Sequence, residues 1–193
     1  AVEEAARAPR KVPVLAGAGG NDTAHVIELA KTCAQAGADG ILSVAPYYNK
    51  PTQEGLFQHF SAIAAATPLP VVLYNVPGRT SSNIEAATVL RLAKAVPNIV
   101  AVKEASGNLA QIARIIAGAP AGFDVLSGDD SLTLAILALG GRGLVSVASN
   151  AAPGAMAQLV TAACAGDFTA ARKLHYQWLP FMDYVNSSFT DTL

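Results

Sequence analysis

The sequence predicts an α/β fold in which parallel strands alternate with helices. Six short apolar segments lack the polar alternation of a half-exposed strand, as expected of strands covered on both faces. Amphipathic stretches with helical spacing separate these segments. Four successive strands end 29 residues apart, at Ala16, Ala45, Tyr74 and Lys103. Repeating βα units of this length indicate a parallel sheet connected by right-handed crossovers.

The strands are predicted over residues 12–17, 40–45, 70–75, 98–105, 123–128 and 142–149. Leu56, Phe57, Phe60 and Ile63 lie on one face of the helix that follows the second strand. Two further helices are predicted after the last strand, over about residues 152–165 and 167–185.

Local signals predict where the helices begin and end. Ser82 with Glu85 forms a capping box that predicts the start of the helix after the third strand. Three other N-caps are predicted, at Asn21 or Asp22, at Asn108, and at Asp129 or Asp130. Helix ends are predicted at Gly37 and Gly118.

Two architectures fit this pattern, a doubly wound open sheet and a (β/α)8 barrel. The segment GAGGND lacks the G-x-G-x-x-G spacing of a dinucleotide-binding turn, which weakens the first. Several strands end in polar residues, among them Lys103, Ser127 and Ser146, which suits the active-site end of a barrel. Six strands are fewer than a closed barrel needs.

The composition excludes several functional classes. The 193 residues are 52% hydrophobic and 14% charged with a net charge of −1, unlike a disordered or nucleic-acid-binding chain. No apolar run reaches the ~18 residues of a membrane span. Cys33 and Cys164 are predicted to be small buried core residues, and reduced thiols fit a cytoplasmic protein. His25, His59 and His175 lack the spacing of metal ligands.

Lys103 is the first candidate for a reactive group. A lysine at a strand end is commonly solvated, but burial disfavours the charged amine and lowers its pKa. A neutral lysine amine attacks carbonyl carbons and forms a Schiff base. The spacing of the sequence leaves both interpretations open.

Polar residues on neighbouring loops add to this candidate site. Tyr74 ends the strand before Lys103, and its phenol could shuttle a proton or simply pack under a loop. Tyr47 and Tyr48 lie in the Pro-flanked loop after the second strand. The guanidinium of Arg79, just past Tyr74, could hold a carboxylate in a bidentate pair, although most loop arginines are solvated.

Five collinear motifs carry a family resemblance. They are APYYNKPTQEGLFQHF, LPVVLYNVPGRT, NIVAVKEASGN, VLSGDD and GGRGLVSVASN. In this order and spacing they resemble the dihydrodipicolinate synthase family of pyruvate-dependent aldolases, which also contains N-acetylneuraminate lyase. The resemblance covers about residues 12 to 182. It implies a (β/α)8 TIM barrel, here incomplete, with about six parallel strands that match the third to eighth strands of the family.

The resemblance assigns roles to individual residues. Lys103 matches the lysine that forms the Schiff base with pyruvate, so no metal or organic cofactor is expected. Tyr74 matches a tyrosine that relays protons, and Tyr48 matches one that reaches into the site of a neighbouring subunit. Arg79 matches the arginine that holds the carboxylate of the incoming aldehyde. Val145 matches a residue whose backbone carbonyl lies next to the lysine.

The implied reaction condenses pyruvate with L-aspartate 4-semialdehyde to 4-hydroxy-tetrahydrodipicolinate, in the synthesis of lysine and diaminopimelate. Arg79 favours this branch of the family. There are two alternatives. One is a sister aldolase of the N-acetylneuraminate lyase or keto-deoxy sugar acid type, and the other is a non-catalytic piece of the barrel. A cytoplasmic homo-oligomer, a dimer of dimers in relatives, is implied, with no nucleic-acid or membrane partner.

Departures from the family pattern lead to further expectations. The first two βα units, with their Gly-Thr-Thr-Gly-Glu loop, have no match, and we expect the isolated chain to be poorly active and prone to aggregate. Residues 1–165 are expected to form a partial barrel, and residues 166–193 the start of a C-terminal helical region. Asn21 and Tyr47 match a possible allosteric lysine pocket, whereas His25 stands where many sensitive relatives have glutamate.

Overall fold

A computed structural model describes the backbone of residues 1–191 and the side chains of residues 1–187. The chain divides into two compact units. The N-terminal unit comprises Ala1–Val102 and Gly118–Phe123, and the C-terminal unit comprises Lys103–Ala117 and the chain from Asp124 onward.

The strands confirm the predicted α/β class. Within residues 1–191 there are six, namely β1 (Leu15–Gly17), β2 (Gly40–Val44), β3 (Val71–Asn75), β4 (Ile99–Glu104), β5 (Asp124–Ser127) and β6 (Gly143–Leu144). Their order in the sheet is their order along the chain. This order is that of an incomplete (β/α)8 barrel, because a doubly wound sheet reverses its order at a switch point.

Parallel pairing fixes the register inside each unit. Ala16 pairs with Ile41 and Val44 pairs with Tyr74 in the N-terminal unit, and Ser127 pairs with Leu144 in the C-terminal unit. The carboxyl ends of parallel strands lie at one edge of a sheet, which gathers the polar strand-end residues of each unit.

The helices of the N-terminal unit are α1 (Val2–Ala6), α2 (Thr23–Gln35), α3 (Gln53–Ala65), α4 (Pro77–Thr80) and α5 (Ala86–Ala95). The three longer helices, α2, α3 and α5, bury an apolar face. Leu56, Phe60 and Ile63 of α3 are fully buried, as their helical spacing predicts, whereas Phe57 is only half-buried. Asp22 is the N-cap of α2 and accepts a hydrogen bond from the His25 amide at 3.1 Å, which confirms that predicted cap.

The C-terminal unit has its own apolar core. Its helices are α6 (Leu109–Gly118), whose last residue belongs to the other unit, α7 (Thr133–Ala138), α8 (Pro153–Cys164) and α9 (Phe168–Asp191). Asn108 accepts from the Gln111 amide at 3.0 Å and caps α6, as predicted. Leu159, Ala171 and Met182 are almost completely buried between the last helices.

The predicted capping box at Ser82 and Glu85 is wrong. Helix α5 begins at Ala86, and Glu85 at its N-cap makes no side-chain cap bond. A tertiary contact replaces the local cap, because the side-chain oxygen of Gln53 on α3 accepts a hydrogen bond from the Glu85 amide at 3.1 Å. Ser82 is buried in the preceding loop, where Thr80 bonds its amide and its carbonyl.

Two other expectations also need correction. The sixth strand was predicted over residues 142–149 but ends at Leu144, and a 3-10 turn follows at Ala148–Asn150. Of the two cysteines predicted to be buried, Cys33 is half-buried and Cys164 is exposed. Cys164 is the last residue of α8 and lies outside the buried stripe of that helix.

In the described part of the chain, every helix is too short or too polar to span a membrane.

Asn98 connects the start of β4 to the segment after α3. Its side-chain amide donates to the carbonyls of Ala64, Thr67 and Leu69 at 2.9, 3.2 and 3.3 Å. We expect Asn98→Ala to lower the free energy of unfolding by about 1–3 kcal/mol, because partly buried carbonyls lose their donor. Urea denaturation measures this change. Gln58→Ala, which removes an exposed amide on α3, is the control, and an equally small effect of both variants would contradict the expectation.

Candidate active site

The carboxyl ends of β1, β2 and β3 surround a cavity of about 430 Å³, which we call the N-terminal cavity. Its lining consists of Gly17, Gly19, Leu42, Val44, Tyr47, Tyr74, Val76, Arg79 and Thr80. Three residues selected from the sequence, Tyr47, Tyr74 and Arg79, are therefore brought together on one cavity.

Gly19 allows the loop after β1 to approach β2 closely. A Cβ atom at this position would lie 2.6 Å from both the backbone nitrogen and the Cγ1 atom of Val44. Backbone cannot yield as a flexible side chain can, so only glycine fits here. The glycine-rich segment that lacks a dinucleotide-binding pattern thus forms a wall of the N-terminal cavity.

Tyr74 is half-buried near the end of β3. Burial raises the pKa of its phenol, and the nearby Arg79 guanidinium partly opposes this rise. The phenol therefore stays protonated at neutral pH. A protonated hydroxyl on a cavity wall can donate a hydrogen bond or pass on a proton.

The turn that carries Arg79 is held by side-chain hydrogen bonds. The side-chain oxygen of Asn75 accepts from the Ile84 amide at 2.9 Å, which ties the two ends of the turn together. Within the turn, the Thr80 hydroxyl donates to the Ser82 carbonyl at 2.9 Å. The exposed Arg79 therefore projects from a braced turn rather than from a loose loop.

Tyr48 is in an unusual position for a large aromatic residue. It is 88% exposed and its φ is 73°, a left-handed conformation that is strained for a bulky side chain. Asn49 next to it donates to the Asn21 carbonyl at 3.0 Å and fixes this loop against the loop after β1. Asn21 and Tyr47, the predicted allosteric pair, are also exposed, and their role stays a prediction.

Lys103 belongs to the C-terminal unit, where it is half-buried near the end of β4. A Cβ atom on Gly128 would lie 2.9 Å from its Cε and 3.0 Å from its Cγ, so the lysine stem packs against the bare glycine backbone. Burial lowers the pKa of the amine, and the negative charge of Asp130 partly opposes this. The shift has the direction that a nucleophilic lysine needs.

The prediction that Asp129 or Asp130 caps a helix is wrong. Helix α7 begins at Thr133, with Leu132 as an N-cap that makes no side-chain bond. The Asp130 side chain is buried and accepts hydrogen bonds from the hydroxyl of Ser146 and from two backbone amides after it. Asp129 instead accepts from the amide and the hydroxyl of Ser131 at 3.1 and 2.9 Å.

The sequence favoured a helix cap for Asp130 and did not predict its long-range contacts. Its partner Ser146 lies 16 residues further along the chain. The repeated aspartate of the SGDD segment was the available signal, but local spacing could not distinguish a cap from a long-range bond.

Val145 follows β6 directly. Its amide donates to the Ser127 carbonyl at 2.8 Å and extends the pairing of β5 with β6 by one residue. Lys103, Asp130 and Val145 are thus all parts of the C-terminal unit. The individual catalytic and binding roles of the selected residues stay predictions.

The described residues contain no group of three or more His, Cys, Asp or Glu side chains that could hold a metal ion.

The strand order and the polar strand ends define the chain as a protein of the (β/α)8-barrel class. More particularly, it belongs to the Dihydrodipicolinate synthetase family, whose profile matches residues 2–190. This match confirms the family resemblance drawn from the five motifs.

Individual relatives agree with this assignment. The chain is 57% identical over 183 residues to a 4-hydroxy-tetrahydrodipicolinate synthase from Koribacter versatilis, covering 94% of the chain and 60% of the relative. The structure resembles the lysine-bound enzyme from Cyanidioschyzon merolae with a TM-score of 0.90 and 47% identity, covering 94% of this chain and 62% of that one. A chloride-inhibited dihydrodipicolinate synthase from Acinetobacter baumannii, complexed with pyruvate, gives a TM-score of 0.87 and 40% identity, with coverage of 95% and 65%. The chain spans about 60% of the length of its curated relatives.

The environment of Lys103 predicts how its amine titrates. Because burial lowers its pKa, we expect the acetylation of Lys103 to have a titration midpoint below the ordinary lysine pKa of about 10.4. Brief labelling with acetic anhydride over a pH series, followed by peptide mass spectrometry, gives this midpoint. A Lys103 midpoint at or above the ordinary lysine value would contradict the expectation.

Proposed function

We propose that the chain contributes the site of a Schiff-base synthase that condenses pyruvate with L-aspartate 4-semialdehyde to 4-hydroxy-tetrahydrodipicolinate. The observation that carries the proposal is the half-buried Lys103, whose stem packs against Gly128 and whose pKa is lowered by burial. Family membership supports the same reaction class. We further propose that this product serves lysine and diaminopimelate synthesis and that the protein is cytoplasmic.

Lys103 begins the proposed reaction. Its neutral amine attacks the keto carbon of pyruvate, the carbinolamine loses water, and a protonated imine forms. The imine nitrogen withdraws electrons, so a proton leaves the pyruvate methyl group and an enamine results. The lysine itself therefore acts as the electron sink, and we expect the site to use no metal or organic cofactor.

The enamine carbon then forms a bond to the aldehyde carbon of the semialdehyde; the imine is restored, and the aldehyde oxygen takes up a proton and becomes the 4-hydroxyl group. The amine of the second substrate closes the ring on the imine carbon and expels Lys103 as a free amine. Tyr74 is proposed to relay protons in these steps, because its raised pKa keeps the phenol protonated. Val145 is proposed to contribute its backbone carbonyl beside the amine.

Arg79 is proposed to bind the carboxylate of the semialdehyde. It lines the N-terminal cavity with Tyr47 and Tyr74, and its planar guanidinium suits a bidentate pair with a carboxylate. The braced turn below it supports this role, since a fixed cation loses less conformational entropy on binding.

Tyr48 is proposed to reach a second subunit in a homo-oligomer. An exposed aromatic side chain in a strained conformation suits a surface that a partner covers.

We further propose that the barrel portion ends near residue 165 and that α9 belongs to a C-terminal helical region, of which residues 192 and 193 lie outside the described residues. The allosteric role of Asn21 and Tyr47 stays a prediction, and we propose no regulation of this chain.

Reduction of the imine tests the chemistry directly. We expect that incubation with pyruvate and borohydride gives a stable pyruvyl adduct on Lys103, located by peptide mass spectrometry. Lys103→Arg should abolish the adduct, because a guanidinium does not form the imine. Lys94→Arg, a change at an exposed lysine on α5, is the matched control. A folded chain that forms no adduct would refute the proposal.

Arg79→Ala tests the second substrate. We expect the KM for L-aspartate 4-semialdehyde to rise at least tenfold, the size expected for a lost charge-assisted pair, while the pyruvyl adduct forms as before. Steady-state kinetics with a panel of aldehydes measure the effect, and Arg91→Ala on the surface of α5 is the control. Equal turnover of aldehydes that lack the carboxylate would favour a sister aldolase instead.

A further inference from the structure

The Asp130 carboxylate is a deeply buried charged group of the C-terminal unit, and it contacts the segment after β6. The residue is 1% exposed. One carboxylate oxygen accepts from the Ser146 hydroxyl. The other accepts from the amides of Val147 and Ala148, at 3.0 and 3.1 Å.

These contacts explain how a buried carboxylate is tolerated and why β6 ends early. A buried anion is costly unless hydrogen bonds satisfy it, and consecutive backbone amides form a concave anion site. The amides of Val147 and Ala148 are used in this way and cannot continue a strand ladder. The Ser146 hydroxyl also accepts from the Ser149 amide at 2.8 Å, so the turn closes on itself.

The turn from Ser127 to Asp130 joins this segment to Lys103. Gly128 supports the lysine stem, and its amide donates to the Glu104 carbonyl at 2.8 Å. The Asp129 carbonyl accepts from the hydroxyls of Ser127 and Thr133 at 2.7 and 2.8 Å. The backbone of the turn is therefore fixed on the strand side and on the helix side.

Other charged groups near this turn are engaged elsewhere. The Glu104 carboxylate accepts from Ser106 and Gln111, and the Asp129 carboxylate accepts from Ser131. Helices α7 and α8 and residues 143–152 carry no charged side chain. On α9, which packs near the 3-10 turn, Arg172 and His175 line a separate cavity beside α7, and the helix also carries Lys173 and Asp183.

We propose that Asp130 is a positioning residue of the candidate site, which holds residues 145–149 in place and sets a fixed negative charge near the Lys103 amine. It touches no substrate in this role. The proposal rests on the proposed function only in taking Lys103 as the reactive amine. The charge of Asp130 keeps part of the amine's proton affinity against burial, as the direction of its effect on the Lys103 pKa also indicates.

Two substitutions separate the charge from the contacts. In Asp130→Asn the side-chain oxygen can still accept both amides and the new amide can donate to the Ser146 oxygen, so the charge is lost and the bond to Ser146 is reversed. Asp130→Ala loses the charge and all three contacts. Asp124→Asn, at the other end of β5 and exposed, is the matched control.

These variants are tested with two measurements, neither of which requires pyruvate. Acetic anhydride labelling over a pH series gives the titration midpoint of Lys103, and hydrogen exchange with mass spectrometry reports on residues 145–149. For Asp130→Asn we expect roughly tenfold more neutral Lys103 amine at a fixed pH, as for the loss of one nearby opposite charge, with little change in exchange. For Asp130→Ala we expect the same direction in labelling and at least tenfold faster exchange of residues 145–149.

An unchanged Lys103 midpoint in Asp130→Asn, equal to that of Asp124→Asn, would overturn the proposal. Unchanged exchange of residues 145–149 in a folded Asp130→Ala would overturn it as well. If Asp130→Ala fails to melt cooperatively, Ser146→Ala takes its place, and faster exchange with an unchanged Lys103 midpoint supports the proposal while unchanged exchange overturns it. A wild-type chain without a pyruvyl adduct would refute the proposed function, whereas these readouts would still decide the role of Asp130.

Discussion

The partial burial of one amine is the constraint on which the C-terminal part of the site depends. A charged lysine is costly to remove from water, so the protein must either neutralise the amine or supply an opposite charge. Lys103 experiences both effects, because burial lowers its pKa and Asp130 opposes the change. The net result is an amine that can still carry a proton but has a pKa below the ordinary lysine value.

In both units a glycine allows a close approach that a side chain would block. Gly19 lets a loop meet β2 within a distance that no side chain would permit, and Gly128 gives the lysine stem a bare backbone to lie on. Around these close approaches, buried side-chain amides and carboxylates satisfy neighbouring backbone groups, as Asn75 and Asp130 do. The polar network therefore shapes the loops, while the apolar strands and helices set where the loops begin.

The fold class and the principal strand-end residues could be predicted from the sequence, since both follow from periodicity. Continuous apolar runs and a 29-residue repeat identify a parallel sheet without reference to distant contacts. The errors arose where a distant residue replaced a local partner. Gln53 serves the start of α5 in place of Ser82, and Asp130 binds the turn at residues 146–148 in place of a helix end. Local spacing contains no signal for such contacts. The prediction that Cys164 is buried was wrong for a simpler reason. Cysteine is buried on average, but the end of a helix can expose any residue.

Helices α7 and α8 and the turn between β6 and α8 lack charged side chains, and this has a consequence for how the site responds to its surroundings. Dissolved ions weaken interactions between exposed charges over about 8 Å at physiological ionic strength, but they weaken buried interactions much less. Asp130 is buried, and its hydrogen-bond partners are one hydroxyl and two backbone amides. The electrostatic effect of Asp130 on the Lys103 amine therefore depends little on salt concentration. The fold, rather than the ionic strength of the solution, sets the reactivity of this amine.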